Sequence, residues 1–179
     1  MKNLFYLLLF VVLFASFFGC NNSNNSVDEA WKTANTNAYD SIAKLPDYHA
    51  LKTATGPTGV YYKVIKKGTG TVYPLQTSDV KMFYSLSLYN GTVFDSGTSQ
   101  SGIPQSQTVN GTMYGYTIAR GLSFALQNMV VGDKWEIWIP YYLGYGATGL
   151  TNSSYQTVIQ GYTTLVFTVE LVSITEYPK

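Results

Sequence analysis

Residues 79–95 read Asp-Val-Lys-Met-Phe-Tyr-Ser-Leu-Ser-Leu-Tyr-Asn-Gly-Thr-Val-Phe-Asp. Val80, Met82, Tyr84, Leu86 and Leu88 recur at every second position, with Lys81, Ser85 and Ser87 between them. A period of two puts the first set on one face of a strand and the second on the other, so one face is for burial. Asn90-Gly91 follows, a pair suited to the positive φ angles of a tight hairpin turn, and the chain returns through Thr92 to Asp95. Two more segments alternate in the same way. Asp133 to Pro140 carries Trp135, Ile137 and Ile139 on one face, and Thr163 to Ile174 carries Leu165, Phe167, Val169 and Leu171. Val60 to Ile65 reads as a further strand, closed by a turn over Lys66 to Gly70. Between these strands, Leu122, Ala125, Leu126 and Met129 fall at helical spacing and mark one short helix that stops near Gly132.

The remaining segments read as connections. Thr53 to Gly59, Ser96 to Gly115 and Tyr141 to Gly161 are rich in Gly, Ser, Thr and Gln; the second reads as a long loop or an irregular hairpin. Ahead of the strands, Ala30, Trp31, Ala34, Ala38, Ile42 and Leu45 predict a helix from Val27 to about Leu45, ended by Pro46. One short helix against a mostly antiparallel sheet, with a helix before it, makes this an α+β domain.

The N-terminus speaks to compartment. Lys2 precedes an apolar run from Leu4 to Phe18, broken only at Ser16 and followed by Gly19-Cys20. A basic start, an apolar stretch of this length and a small residue describe an export signal. The run is short for a membrane-spanning helix, which needs about 20 apolar residues. Cys20 is the only cysteine, so no disulfide forms within the chain. The segment resembles a bacterial lipoprotein signal, in which this cysteine carries the lipid, although Phe17 and Phe18 depart from the usual cleavage box. A simple membrane anchor or an ordinary cleaved signal are the alternatives. The resulting division is a signal at 1–19, a tether at 20–26, a helical extension at 27–52 and the main domain at 53–179. The expected location is the cell envelope, with the membrane as a partner through the lipid.

Composition excludes several chemistries. The chain has 11 Lys and Arg against 10 Asp and Glu, with no basic stripe, so nucleic acid is not an expected partner. His49 is the single histidine and lies ahead of the strand-rich domain, which argues against a Ser-His-Asp triad or a histidine metal site. No metal or cofactor is implied. Acidic residues are scattered; Asp95, Asp133 and Glu136 remain as a carboxylate option. Any enzyme built from this chain works with an apolar pocket and a few polar tips.

Together, several motifs carry a resemblance. Tyr84, Asn90-Gly91, Phe94-Asp95-Ser96, Ala119-Arg120-Gly121-Leu122, Met129-Val-Val-Gly132, Ile139-Pro140, Leu143-Gly-Tyr-Gly146, Thr164-Leu-Val-Phe167 and Val169-Glu-Leu171 stand in the order of an FKBP-type peptidyl-prolyl isomerase, from about Gly59 to Ile174. The resemblance implies a twisted antiparallel sheet wrapped around one short helix, with a prolyl pocket between them. It implies proline-containing polypeptides as partners. Carried over, Tyr84, Phe94, Asp95, Ile118, Leu122, Tyr145, Ile159 and Phe167 line the pocket. The backbone at Ile118-Ala119 pairs with the peptide, and Asp95 and Tyr145 carry the polar roles. Asp95 is the telling residue, because a carboxylate is costly to bury unless it is hydrogen-bonded, and Tyr84 is a natural donor.

The chain also departs from the family. Leu122 stands where many members have Trp, Gln160-Gly161 where two prolines are common, and the Phe before the helix has no clear counterpart, Val109 being nearest. A non-catalytic module binding peptide or glycan through a tyrosine rim (Tyr141, Tyr142, Tyr145, Tyr155, Tyr162) is therefore a second expectation, and a structural lipoprotein without a ligand a third. Helices ahead of this domain pair in some relatives, so homodimerisation through the first helix is one expectation; docking of Trp31 on the sheet is the other. Asp40-Ser41-Ile42 weakly resembles a bacterial O-glycosylation acceptor.

Overall fold

The computed structural model describes residues 29–95, 102–113 and 116–176. The signal and tether readings, Cys20 included, lie outside the described residues. The elements run α1 (Glu29–Ile42), β1 (His49–Thr53), β2 (Gly56–Lys66), β3 (Asp79–Leu88), β4 (Val93–Asp95), β5 (Gln105–Thr108), β6 (Thr112–Met113), β7 (Tyr116–Thr117) and α2 (Arg120–Leu126). β8 (Lys134–Ile139), a 3₁₀ turn (Tyr141–Leu143), β9 (Leu150–Thr151), β10 (Thr157–Ile159) and β11 (Leu165–Glu176) complete the chain. Seven strands form one sheet in the order β1-β2-β8-β11-β3-β4, and β5 pairs with β3 beyond β4. Every pairing in it is antiparallel. The α+β architecture read from alternation is the one observed.

Register turns the alternation into two layers. Across the front face one row runs Tyr62, Ile137, Phe167, Leu86 and Asp95, and the next runs Val64, Trp135, Val169 and Tyr84. Leu122, Ala125 and Leu126 of α2 pack on this face, all fully buried. Close approach is secured by Gly121, where a Cβ would meet Ile139 Cγ2 at 2.5 Å. The back face carries the row Tyr61, Trp138, Val166. It is covered by Ile42 and Ala38 of α1 together with Tyr48 and Tyr89.

Three connections differ from the expectation. Thr53 to Gly59 is not a loop: β1 and β2 form a hairpin with Thr53 opposite Gly56, and Thr58 Oγ1 donates to the Leu51 carbonyl at 3.0 Å. Gly, Pro and Thr density masked an edge pairing that tertiary contacts hold. β1, inside the segment taken as a helical extension, is thus the outermost strand, with its register broken between Ala50 and Lys52. Short paired strands also lie within 96–115 and 141–161. In α1 the buried positions are Asn35 and Ile42, with Trp31, Ala34, Ala38 and Tyr39 partly covered and Ala30 exposed; the helix ends at Ile42, ahead of the expected Leu45, which is exposed beyond it.

Gly121→Ala should destabilise the protein by about 1–2 kcal/mol, the overpacking cost against buried Ile139 being larger than the gain in helix propensity. Urea unfolding midpoints of the two proteins measure it.

Candidate functional site

The site grows from β3, β4 and β11. Tyr84 is 2% exposed, and its hydroxyl donates to Asp95 Oδ2 at 2.7 Å. Asp95 is half-buried and lies opposite Leu86, which in turn lies opposite Phe167. Tyr84 and Phe167 rings sit 6.4 Å apart at 45°. Satisfying a carboxylate with a tyrosine hydroxyl removes most of the cost of bringing it to an apolar wall.

Phe94 has no partner in the ladder, because Val93 pairs with Ser87 and Asp95 with Leu86. This bulge frees Phe94 from strict alternation with its neighbour. It stands at the rim, 41% exposed, and is the one expected pocket residue outside the core cluster and its packed neighbours that offers an apolar ring.

The floor and far wall come from the helix entry and the β8–β11 connection. Ile118, Ala119, Leu122 and Ile159 are buried in the same cluster as Tyr84 and Phe167, with Tyr145 packed against it. Ile118 N–H donates to the Gly111 carbonyl at 3.1 Å, whereas the Ala119 N–H has no hydrogen-bond partner among the described residues. Burial raises the Tyr145 pKa, so its hydroxyl keeps its proton. Val109 is fully buried in the core, as Leu122 is.

The 141–161 segment explains one departure noted above. A Cβ at Gly161 would meet the Ala147 carbonyl oxygen at 1.9 Å, and one at Gly149 the Ile159 carbonyl oxygen at 2.1 Å. The two arms approach too closely for proline at 161. The tyrosines of this segment do not form one rim. Tyr141 packs edge-on to Tyr142 and lies 4.8 Å from Tyr162, Tyr155 projects into solvent at 92% exposure, and Tyr145 faces the core.

The other acidic residues are engaged by the scaffold. Asp133 accepts the Gly68 and Val130 N–H groups at 2.7 and 2.8 Å. Glu136 Oε1 accepts from Tyr48 at 2.5 Å and Trp138 at 2.7 Å, and burial with this bond pushes Tyr48 up to about 12. A separate cleft of about 910 Å³ is lined by His49, Tyr62, Gly68, Asp133 and Trp135, with Tyr62 stacked on Trp135 at 4.2 Å. None of the expected site residues lines it.

Residues 70–172 match the family model described as FKBP-type peptidyl-prolyl cis-trans isomerase. The chain belongs to that family. Within the FKBP family it is 39% identical over 117 residues to the FKBP-type 22 kDa peptidyl-prolyl cis-trans isomerase of Escherichia coli, covering 65% of this chain and 50% of that protein. The chain thus spans half the length of that relative. It is 32% identical over 189 aligned positions to the macrophage infectivity potentiator of Trypanosoma cruzi, covering 99% of this chain and 88% of that one. Among solved structures, a peptidyl-prolyl cis-trans isomerase from Pseudomonas syringae superposes with a TM-score of 0.68 at 27% identity, covering 86% of this FKBP-family chain and 99% of the other.

Tyr84→Phe should cost about 1.5 kcal/mol of stability by removing the donor to Asp95, read from the shift in denaturation midpoint. For Tyr145, the raised pKa sets the sign of a pH effect: its neutral form persists in the fold, so its contribution to stability is complete below about 10 and is lost only as pH climbs beyond. The stability difference between the parent and Tyr145→Phe should be flat from neutral to about pH 10 and change only above it.

Proposed function

We propose that this FKBP-family chain is a proline cis/trans isomerase of the cell envelope, acting on exported polypeptides and held to a membrane through a lipid on Cys20. Residues 1–19 serve as the signal and 20–26 as the tether. Two or more acyl chains, at about 0.8 kcal/mol per buried methylene, hold such a domain firmly.

The observation that carries the catalytic reading is the Tyr84–Asp95 hydrogen bond beside an apolar surface made by Leu122, Ile159 and Phe167. Planarity of the prolyl bond is protected by a barrier of about 18–20 kcal/mol. Uncatalysed turnover takes about 10–100 s. No covalent bond is made or broken, so neither a nucleophile nor a cofactor is needed. Twisting the bond removes amide resonance and leaves a less polar carbonyl, a state that an apolar surface favours over the planar amide. Leu122, Ile159, Phe94 and Phe167 hold the proline ring, and the Tyr145 hydroxyl donates to a substrate carbonyl. The Ala119 N–H pairs with the peptide backbone as an added strand would. Tyr84 and Asp95 fix the polar wall.

A second reading rests on Leu122. It is fully buried and offers no ring face to a proline, which favours a weaker catalyst or a peptide binder on the same scaffold.

The test is a protease-free isomerisation assay on the full-length protein in mild detergent, using refolding of a proline-limited substrate. Acceleration that drops strongly with Asp95→Ala is the expected result. Tyr145→Phe should lower kcat/KM by at most about tenfold, the worth of one hydrogen bond. Absence of acceleration from folded protein, with retained binding of a proline peptide, would establish the second reading instead.

A further inference from the structure

Three consecutive residues ahead of β11 are each held by α1. The Trp31 indole N–H donates to Thr163 Oγ1 at 3.3 Å, and Lys32 Nζ stands 4.9 Å over the Tyr162 ring. Asn35 Oδ1 accepts the Thr164 N–H at 2.8 Å, and the Asn35 carbonyl accepts the Thr164 hydroxyl at 3.3 Å. Asn35 is 1% exposed, and its amide Nδ2 donates to the Trp31 carbonyl at 2.9 Å, so both polar ends of this buried side chain are engaged. A satisfied buried amide inside a helix connects two elements and does more than fill space.

What α1 holds is a constrained backbone. Tyr162 has φ of 60°, a left-handed conformation that a non-glycine residue keeps only where its surroundings fix it. From there the connection reaches the prolyl site twice. The Tyr162 N–H donates to the Gly146 carbonyl at 3.0 Å, one residue past Tyr145. Thr163 Oγ1 donates to the Gln160 carbonyl at 2.6 Å, one residue past Ile159. The hydroxyl of Thr163 is thus shared between the helix and the arm carrying Ile159.

We propose that α1 positions the prolyl site from behind: Asn35 and Trp31 hold Thr163 and Thr164, which keeps Tyr162 left-handed and fixes where Tyr145 and Ile159 stand. The inference rests on the reading of Tyr145 and Ile159 as peptide contacts. Asn35 and Trp31 are positioning residues, remote from the peptide and acting through Tyr162.

The experiment compares Asn35→Ala, Tyr145→Phe and the double variant in the full-length protein. It measures kcat and KM for a proline oligopeptide and amide exchange at Tyr162 and Val169. Asn35→Ala should raise KM by roughly three- to tenfold with a smaller change in kcat. Exchange at Tyr162 should speed up while Val169 stays protected. Because both changes act through Tyr145, the combined loss in kcat/KM should be smaller than the product of the single losses. A lowered melting temperature with unchanged KM and unchanged Tyr162 exchange makes Asn35 a packing residue and overturns the proposal; so do losses that simply multiply. If Asn35→Ala does not fold, Trp31→Phe, which removes the indole donor to Thr163 while keeping an aromatic ring, is judged by the same outcomes. A silent Tyr145→Phe variant overturns the reading of the site, and the proposal with it, whatever Asn35→Ala does.

Discussion

Strand β11 has to satisfy two layers at once. It lies between β8 and β3, so its backbone is hydrogen-bonded on both edges and its side chains must cover both faces. Leu165, Phe167, Val169 and Leu171 turn inward under α2, while Val166 turns outward under α1. A shift of one residue would exchange the two sets and place Phe167 on the wrong side of the sheet. Because Phe167 aligns with Leu86, and Leu86 with Asp95, the same register that builds the core also brings the apolar and polar walls of the site together. The candidate site and the core are consequences of one pairing.

Much of this was legible in the sequence because the physics is local. A period of two along β3, β8 and β11 needs no knowledge of the partner strand, and the inward faces read there are the buried ones. The bond between Tyr84 and Asp95 followed from the cost of an unpaired carboxylate beside an apolar residue. What stayed hidden depends on contacts between distant parts of the chain. Gly56, Pro57 and Gly59 look like loop residues until β1 is seen to pair with β2. Asn35 breaks the apolar stripe of α1, and only the position of Thr164 explains it. The tyrosines of 141–162 read as one surface, yet Tyr141 and Tyr162 pack on each other and Tyr142 meets Tyr39 of α1, whose hydroxyl burial holds protonated. Phe94 shares the fate of its strand: the bulge that re-aims it leaves no trace in alternation.

The site combines rigid and adaptable parts. Leu122, Phe167 and Tyr84 stand on regular elements with full burial and have little freedom. Tyr145 and Ile159 belong to a long connection whose two arms are pinned by glycines in near-contact with opposing backbone. Such an arrangement lets side chains on a connection approach the precision of residues on strands, provided its base is held. The base is where α1 docks. The helix that precedes the domain in the chain is therefore part of its tertiary structure, with the face bearing Trp31, Asn35, Tyr39 and Ile42 turned to the sheet.

The broken register of β1 has a consequence for behaviour in a crowd. As the terminal strand of a seven-stranded sheet, β1 presents backbone donors and acceptors that another copy's edge could match. The break between Ala50 and Lys52 interrupts that match after two residues, and Lys52 sets a charge along it. A uniform edge would invite sheet-to-sheet self-assembly wherever molecules are concentrated. This one discourages it, and the molecules can lie close together without joining.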